Sequence, residues 1–493
     1  MAGWFRARCL VVTAAGRPSY DELAALVVAQ RQQIVAQTVL IERLQARVAG
    51  LERRLGLNST NSSKPPSSDG LAKPAPRSLR GRSGRKPGKQ PGAPGAALSL
   101  VDDPEQTFTH YPDACRGCRG ALADAPVTDV ARRQVFGLPE VRRRVTEHRI
   151  VSCRCECGAV TTATAPAGVN APVQYGPDMA AVVVYLAVAQ HLPVARVVQI
   201  LADLLDCPVS AGWIDTVLKR TGTALSGFRA RLRDALGRAT VVHFDETGAR
   251  VAGRLRWIHV ACTPLLTSYH LDDKRGQTAI DNHGVLPAMT RATDRGRTAV
   301  HDGWMPYLKT CYDDVAHALC NAHHLRELTG WADSSPKRDA WATPLTALLR
   351  QGHTQVQEAT TAGHHELPAH ILADLHHRWE QAIKAAYAAN PPPAGKGRGP
   401  ILSLIDRLRG FTTEIWRFAH DFNVPFDNNQ AERDIRMVKL QPKISGGWRT
   451  EHGARTWLHI REYISTCRKN GIHILKALHD AITGNAWLPP QPE

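Results

Sequence analysis

The chain has no long apolar run. No stretch reaches the roughly 18 to 20 residues that a membrane-spanning helix needs. The apolar segment from Met179 to Ala189 is too short and reads as a buried helix. No membrane partner is therefore expected. Acidic residues are also scarce: 45 Asp and Glu face 62 Lys and Arg, giving a formal net charge of +17 and a pI near 9.6. A surplus of that size calls for a polyanionic partner, nucleic acid first. The 11 cysteines are odd in number, which does not suit a disulfide framework. Five of them fall between Cys115 and Cys157, and a reducing cytoplasm with one metal site fits better. A secretory signal is equally weak, because Arg6 to Ala15 offers only Cys9-Leu10-Val11-Val12 as its apolar part.

What is present divides the chain of 493 residues into several regions. Regular patterning begins near Tyr20, so 1–18 reads as a disordered tail. From 19 to 57, Val27, Ile34, Ile41, Val48 and Leu55 recur every seven residues. Leu23, Leu44 and Leu51 take the companion position, interrupted by Gln30 and Gln37. This is the pattern of a coiled coil that self-associates. The pattern stops at Asn58. Residues 58–104 are rich in Pro, Gly and Ser and carry Lys64, Arg85 and Lys86 among their cations. Such a segment cannot bury enough apolar surface to order itself. It reads as a basic flexible linker able to lie along phosphates.

A cysteine-rich stretch, 105–165, follows. Cys115 and Cys118 form a C-x-x-C knuckle, and Cys155 and Cys157 form C-x-C with Cys153 as a spare. Two thiolate pairs brought together give a closed tetrahedral shell for structural Zn²⁺. Residues 175–237 read as helical: L-P-V-A-R-V-V-Q-I-L-A-D-L-L-D, a break at Cys207-Pro208, then a second helix with a basic end. That is compatible with a DNA-reading helix-turn-helix. From 238 to 470 short β-type runs come first and helices later. A helical insertion is expected at about 330–420, including one long helical stretch from Trp331 to Tyr387. The fold class is thus multidomain α/β with a mixed α/β core. A C-terminal segment, 471–493, closes the chain.

Three acids stand where local structure should change. Asp245 closes the run Val241 to Phe244, Asp302 closes Thr298 to His301, and Glu432 opens a helix in F-D-N-N-Q-A-E-R-D-I-R. Clustered carboxylates repel one another and take up protons unless a cation sits among them. Hard oxygen ligands select Mg²⁺ or Mn²⁺, and two such ions can drive in-line displacement at phosphorus. Each acid also has a plainer explanation. Asp245 could cap a turn in D-E-T-G, Asp302-Gly303 is a turn dipeptide, and Asn429 with Glu432 resembles a capping box.

The motifs taken in order tip this balance. N-S-S-K-P-P-S-S-D at Asn61 to Asp69, R-K-P-G-K-Q-P-G at Arg85 to Gly92 and H-L-P-V-A-R come first. H-F-D-E-T at His243 to Thr247, H-D-G-W at His301 to Trp304 and L-C-N-A-H-H-L-R-E-L at Leu319 to Leu328 follow. D-N-N-Q-A-E-R-D-I-R at Asp427 to Arg436 and S-G-G-W-R-T at Ser445 to Thr450 complete the set. This ordered set resembles the IS66 family of bacterial insertion-sequence transposases, over about Leu23 to Pro489. The resemblance implies an RNase H-like catalytic domain of the DDE type, with Asp245, Asp302 and Glu432 as catalytic ligands of Mg²⁺ or Mn²⁺, two ions in all. It implies that Asn428, Asn429 and Arg433 shape the site or the bound DNA. Glu246 and Asp427 are the nearest rivals as ligands. It also implies a small zinc-binding domain before the core, although C-x-C at Cys155 and Cys157 departs from a second C-x-x-C. Cys320 and His323 form C-x-x-H, for which a structural role is expected. His324, Arg326 and Arg449 are candidate DNA contacts alongside Arg433.

The function expected is metal-dependent DNA cleavage and strand transfer at the ends of an insertion sequence, in the cytoplasm and on the nucleoid. The partners expected are the terminal inverted repeats, target DNA, further copies of the chain and small accessory transposition proteins. A decayed or repurposed DNA-binding copy and an RNase H-like nuclease or resolvase are the alternatives.

Overall fold

The computed structural model describes residues 19–56, 98–138, 143–291, 296–334, 339–392 and 398–490. The tail 1–18 and most of the basic linker, with Lys64, Arg85 and Lys86, lie outside the described residues. No helix is long and apolar enough to cross a membrane among the described residues.

Helix α1 (Tyr20–Gly56) is a single helix of 37 residues. Its start is a capping box: Glu22 Oε2 accepts the Ser19 N–H at 2.8 Å, and Ser19 Oγ accepts the Glu22 N–H at 3.3 Å. The heptad residues Val27, Ile34, Ile41 and Val48 are all more than half exposed, so the apolar row faces solvent.

The described chain forms two compact units. One holds α1 and a set of helices, α8 (Asn321–Ser334) from Ala322 onward, α9 (Ala342–Thr361) as far as Glu358, α10 (Ala369–Ala389) and α11 (Pro400–Gly410). Leu345, Leu349, Leu375, Trp379, Ile383, Leu402 and Ile405 are buried there. Arg378 donates to Gln351 at 3.0 Å, tying α10 to α9, and Tyr387 donates to Asp406 at 2.6 Å, tying α10 to α11. The long helical stretch expected from Trp331 to Tyr387 is broken. Gly363 takes φ +82°, open to a residue without Cβ, and Pro368 stands at the N-cap of α10.

The other unit carries the cysteine-rich region and a five-stranded sheet. The cysteine-rich region holds a hairpin, β1 (Ser152–Arg154) paired antiparallel with β2 (Val160–Thr162). Helices α2 (Pro177–Val184), extended by a π-helical turn to Ala189, α3 (Val194–Leu205), α4 (Ala211–Ala224) and α5 (Ser226–Arg238) come next. The α3–α4 turn has Asp206 left-handed and Ser210 capping α4 through the Trp213 N–H. The sheet is β3 (Val241–Val251), β4 (Arg254–Cys262), β5 (Thr267–Asp272), β6 (Thr298–His301) and β7 (Ala316–Leu319), in spatial order β5-β4-β3-β6-β7. β3, β4 and β5 form an antiparallel meander, whereas β6 and β7 run parallel to β3. Between β5 and β6 lie α6 (Gln277–His283) and α7 (Val285–Arg291). Gly237 of α5 sits so close to Ala288 of α7 that a Cβ there would meet the Ala288 Cβ at 2.8 Å, so only glycine fits. After the helical unit come α12 (Thr412–His420), α13 (Asn429–Ser445), α14 (Glu451–Lys469) and α15 (Ile474–Ile482). α12 packs on β7, α13 crosses β3 and β4, and α14 lies on β5.

The protein is thus a mixed α/β chain. Residues 175–237, set apart in the sequence as a helical DNA-binding region, share one hydrophobic cluster with the sheet. Val183, Leu201, Ile214, Phe228 and Leu236 pack in the same core as Phe244, Ile258, Val438 and Leu458. One further expectation fails. Asp245 does not close its strand, because β3 runs on to Val251 with β4 paired alongside it throughout. The D-E-T-G turn is therefore not formed.

Candidate active site

β3 places the first carboxylate. Side chains alternate along a strand, so His243 and Asp245 share one face while Phe244 and Glu246 share the other. Val241, Val242 and His243 pair with Thr298, Ala299 and Val300 of β6. The same offset of 57 residues separates Asp245 from Asp302, which lies one residue past the end of β6 and whose charge is felt at Asp245. Neighbouring strands lie about 4.8 Å apart. Asp245 Oδ1 accepts the Glu246 N–H at 2.8 Å. Burial pushes the Asp245 carboxyl well above the usual range; the Glu246 and Asp302 carboxylates add to this, and Lys439 on α13 opposes it.

Asp302 is held by its neighbours. Gly303 takes φ +86°, and its N–H donates to His301 Nδ1 at 3.1 Å. His301 then carries its proton on Nε2, which points at His317 Nδ1 at 3.0 Å. Asp302 Oδ1 accepts the Trp304 N–H at 2.9 Å. Its side chain is 30% exposed, so it remains open to a ligand.

α13 brings Glu432. The helix is pinned at its start by Asn428, which is buried. The Asn428 amide donates to Phe244 O at 2.7 Å, its Oδ1 accepts from His243 Nδ1 at 2.8 Å, and its N–H donates to Cys320 Sγ at 3.1 Å. The strand residue just before Asp245 is thus tied to the helix turn that ends at Glu432, whose N–H bonds Asn428 O. A Glu432 carboxylate oxygen also lies within 4.8 Å of Cys320 Sγ, next to the end of β7. The capping box of Asn429 with Glu432 is not formed; Asp427 instead accepts the Asn429 N–H at 3.0 Å. Asp427 also accepts the Asn429 side-chain amide at 2.5 Å. A second pin, missed in the sequence, is Asp434. It pairs with Lys469 of α14 at 2.5 Å and accepts from Thr267 of β5 at 3.1 Å. Nothing in D-I-R signals it, because its partners are 35 and 167 residues away.

The rivals separate. Both Glu246 oxygens are occupied: Oε1 accepts from Arg275, and Oε2 accepts from Tyr307 at 2.9 Å. Burial and Asp302 raise the Glu246 carboxyl, while Arg275 lowers it. Of the candidate DNA contacts, Arg433 is exposed one residue after Glu432 and donates to Gln430 at 2.7 Å. Arg449 is exposed beside the far end of β3, where Ala252 N–H donates to Trp448 O at 2.8 Å. Six residues of strand, roughly 20 Å, separate that point from Asp245. Arg326 bonds Ala322 O of its own helix at 3.3 Å. His324 is buried, so it is not a surface contact for DNA.

The cysteines form two local knuckles. Cys115 N–H bonds Gly120 O at 2.9 Å and Arg119 N–H bonds Cys115 O at 2.9 Å. Cys155 N–H bonds Ala159 O at 2.8 Å and Gly158 N–H bonds Cys155 O at 2.8 Å. Hydrogen bonds from the backbone of Cys118 and Gly117, and from the Cys118 thiol, lower the Cys115 thiol; those from Cys157 lower Cys155. Thiols so favoured as thiolates suit a soft cation such as Zn²⁺. The structure draws them together in pairs; among the described residues it does not gather all four within 4.8 Å.

Residues 172–456 match the model of the transposase IS66 family. The chain belongs to the IS66 transposase family. The matched segment contains Asp245, Asp302 and Glu432 and stops short of α15. Residues 15–99, spanning α1 and the linker, match a separate family of unknown function, DUF6444. The chain is also similar to the uncharacterized protein y4qI of Sinorhizobium fredii (strain NBRC 101917 / NGR234), 22% identical over 232 residues. That alignment covers 45% of this chain and 40% of the y4qI protein, so this chain spans less than half of that relative.

Proposed function

We propose that this IS66 transposase cuts and joins DNA strands by divalent-metal chemistry of the DDE type. Asp245, Asp302 and Glu432 are its catalytic ligands in an RNase H-like core. The observation that supports this is the parallel register of β3 with β6, whose offset of 57 residues is also the separation of Asp245 from Asp302, the first residue past the end of β6. A three-stranded antiparallel meander continued by parallel strands, with α13 across β3 and β4, supports the RNase H-like assignment. The donor set fits a hard cation. Burial, with the Glu246 and Asp302 carboxylates adding to it, raises the proton affinity of Asp245, and a divalent cation would relieve that repulsion.

When bound, Mg²⁺ or Mn²⁺, two ions in this proposal, supplies Lewis acidity at phosphorus and favours loss of the attacking oxygen's proton. The protein's own part is positional. Asn428 and Asp434 hold α13, His301 and Gly303 hold Asp302, and β4 holds Asp245. An oxygen of water or of a DNA 3′-hydroxyl forms the new bond to phosphorus, and the bond to the departing 3′-oxygen breaks.

The exposed apolar row of α1 supports self-association, which brings two DNA ends into one assembly. The cysteine knuckles, α3–α4 and the basic residues Lys64, Arg85, Lys86, Arg433 and Arg449 are proposed to hold DNA, with Cys115, Cys118, Cys155 and Cys157 as structural Zn²⁺ ligands. Accessory proteins and a location on the nucleoid belong to the same proposal.

The test is a cleavage and joining assay on labelled DNA carrying the sequences that flank the gene, with Mg²⁺ or Mn²⁺. The parent should give nicked and joined products. Asp245→Asn should bind the same DNA and form product at less than about one hundredth of the parent rate, because losing even an outer-shell partner costs 10- to 100-fold. Equal cleavage by the variant would remove Asp245 from the site.

A further inference from the structure

We propose that Arg275 is a phosphate contact for the DNA strand at the carboxylate site, and that Glu246 is the positioning residue that holds it. The inference rests on the DNA chemistry proposed above and deepens it.

Glu246 follows Asp245 on β3, so it leaves the opposite face of the strand. Its side chain is 1% exposed. Oε1 accepts from Arg275 Nε at 2.6 Å and pairs with Nη2 at 2.5 Å, and Oε2 takes the Tyr307 hydroxyl. Neither oxygen is left for a cation. An acid next to a catalytic ligand is therefore committed to holding one guanidinium.

That guanidinium is held in place beyond its ion pair. It lies 4.1 Å from the Trp304 ring centroid and 5.2 Å from that of Trp257. Such contacts favour the planar, weakly hydrated arginine head over a lysine ammonium. Nη2 also comes to 3.9 Å from Asp302 Oδ2, too far for a hydrogen bond. Since Glu246 already balances its charge, Arg275 does not need Asp302 as a partner. With Nε and Nη2 turned to Glu246, Nη1 is the donor that remains. Arg275 keeps 32% of its side chain exposed and Trp304 keeps 37%, so this edge is open to solvent beside Asp302. A phosphodiester brought to Asp302 comes within reach of a fixed planar donor, the geometry in which arginine binds phosphate. Arg275 sits in D-D-K-R-G-Q, a loop sequence with no signal of its own.

The test measures DNA binding by the full chain without divalent metal, using fluorescence anisotropy on a labelled duplex that carries the gene's flanking sequence. The affinity is followed against salt. Each phosphate contact contributes about 0.9 to the slope of log K against log salt. Arg275→Gln should bind more weakly, with a slope shallower by about 0.9. Arg275→Lys should restore the slope while binding less tightly than the parent, which separates lost charge from a lost fold. Glu246→Gln should change the affinity of the parent and leave that of Arg275→Gln unchanged, as a residue acting through Arg275 must. A parent that binds with Arg275→Gln matching it in slope and affinity would overturn this inference and leave the DNA reading standing. Glu246→Gln acting equally in both backgrounds would remove its positioning role. A parent that fails to bind the duplex overturns the DNA reading and this inference together.

Discussion

At the carboxylate site the bonds that matter reach across the chain. Asn428 binds His243 and Phe244 over 185 and 184 residues, and its N–H reaches Cys320 over 108. Around the cysteines they close at home: Cys115 to Gly120, Cys155 to Ala159, Ser152 to Thr162 at 2.8 Å. The first region is largely buried, whereas Cys118, Cys153, Cys155 and Cys157 are exposed. Long-range bonds in a dry interior are made by the fold itself and stand ready before any ligand arrives. The two knuckles are each closed by their own local bonds, and a shared cation would join them into one object. The contrast is between bonds made across the chain and bonds closed within a few residues.

The most damaging way to test it is to cut the long-range bond. Asn428→Ala leaves His243 Nδ1 and Phe244 O without their partner in a buried place. Each unsatisfied group costs about 1–3 kcal/mol, so a loss of roughly 2–6 kcal/mol is expected in urea unfolding of the sheet unit. Because the turn leading to Glu432 loses its anchor, strand joining should fall at least about tenfold, as for other supporting residues of metal sites. An Asn428→Ala protein with parental activity would show that α13 needs no pin, and that Asp434 with Lys469 suffices.

A smaller effect comes from His301, beside Asp302. Burial, with His317 adjacent, holds its pKa well below the ordinary 6.5. The folded ring is neutral where the unfolded ring takes a proton. The stabilisation is therefore complete above about pH 6.5 and is lost as pH falls through and below that value. The loss is about 1.4 kcal/mol per pH unit, until the depressed folded pKa is reached. Unfolding midpoints between pH 7 and pH 5 should fall more steeply for the parent than for His301→Gln. Parallel curves would mean that the ring is charged when folded. The knuckles bring no buried histidine to this window, since His110 and His148 are exposed.

The same contrast explains what the sequence made legible. Asp245 and Asp302 stood out because each follows a run of β-type residues; Asp245 lies inside β3, and Asp302 is the first residue past the end of β6. The length of β3 did not stand out. Glu246, Gly248 and Arg250 carry poor local strand preference, and only pairing with β4 keeps them extended. Asn428 was visible as part of a motif, but its task depends on partners far along the chain, as does that of Asp434. Arg275 was hidden for the same reason, in a loop whose meaning comes from Glu246, Trp257 and Trp304. The cysteines show the reverse: spacing revealed the knuckles at once, because their bonds are as local as the motif.

The smallest effect on the sheet, and the sharpest on the comparison, is expected from the cysteines. Protein prepared with Zn²⁺ should hold about one ion per chain in its cysteine-rich region, as four thiolates do. Cys115→Ser should lose that zinc and make the stretch from 98 to 165 readily cut by protease. Unfolding of the sheet unit should shift by less than about 0.5 kcal/mol, the usual range for surface changes. Cys153→Ser is the control, because Cys153 lies in β1 opposite Thr161 and outside the C-x-C pair. It should keep its zinc. If Cys153→Ser loses the metal while Cys157→Ser retains it, the second pair is Cys153 with Cys155. If Cys115→Ser retains the metal, the two knuckles do not share an ion, and the region is held by its own backbone alone.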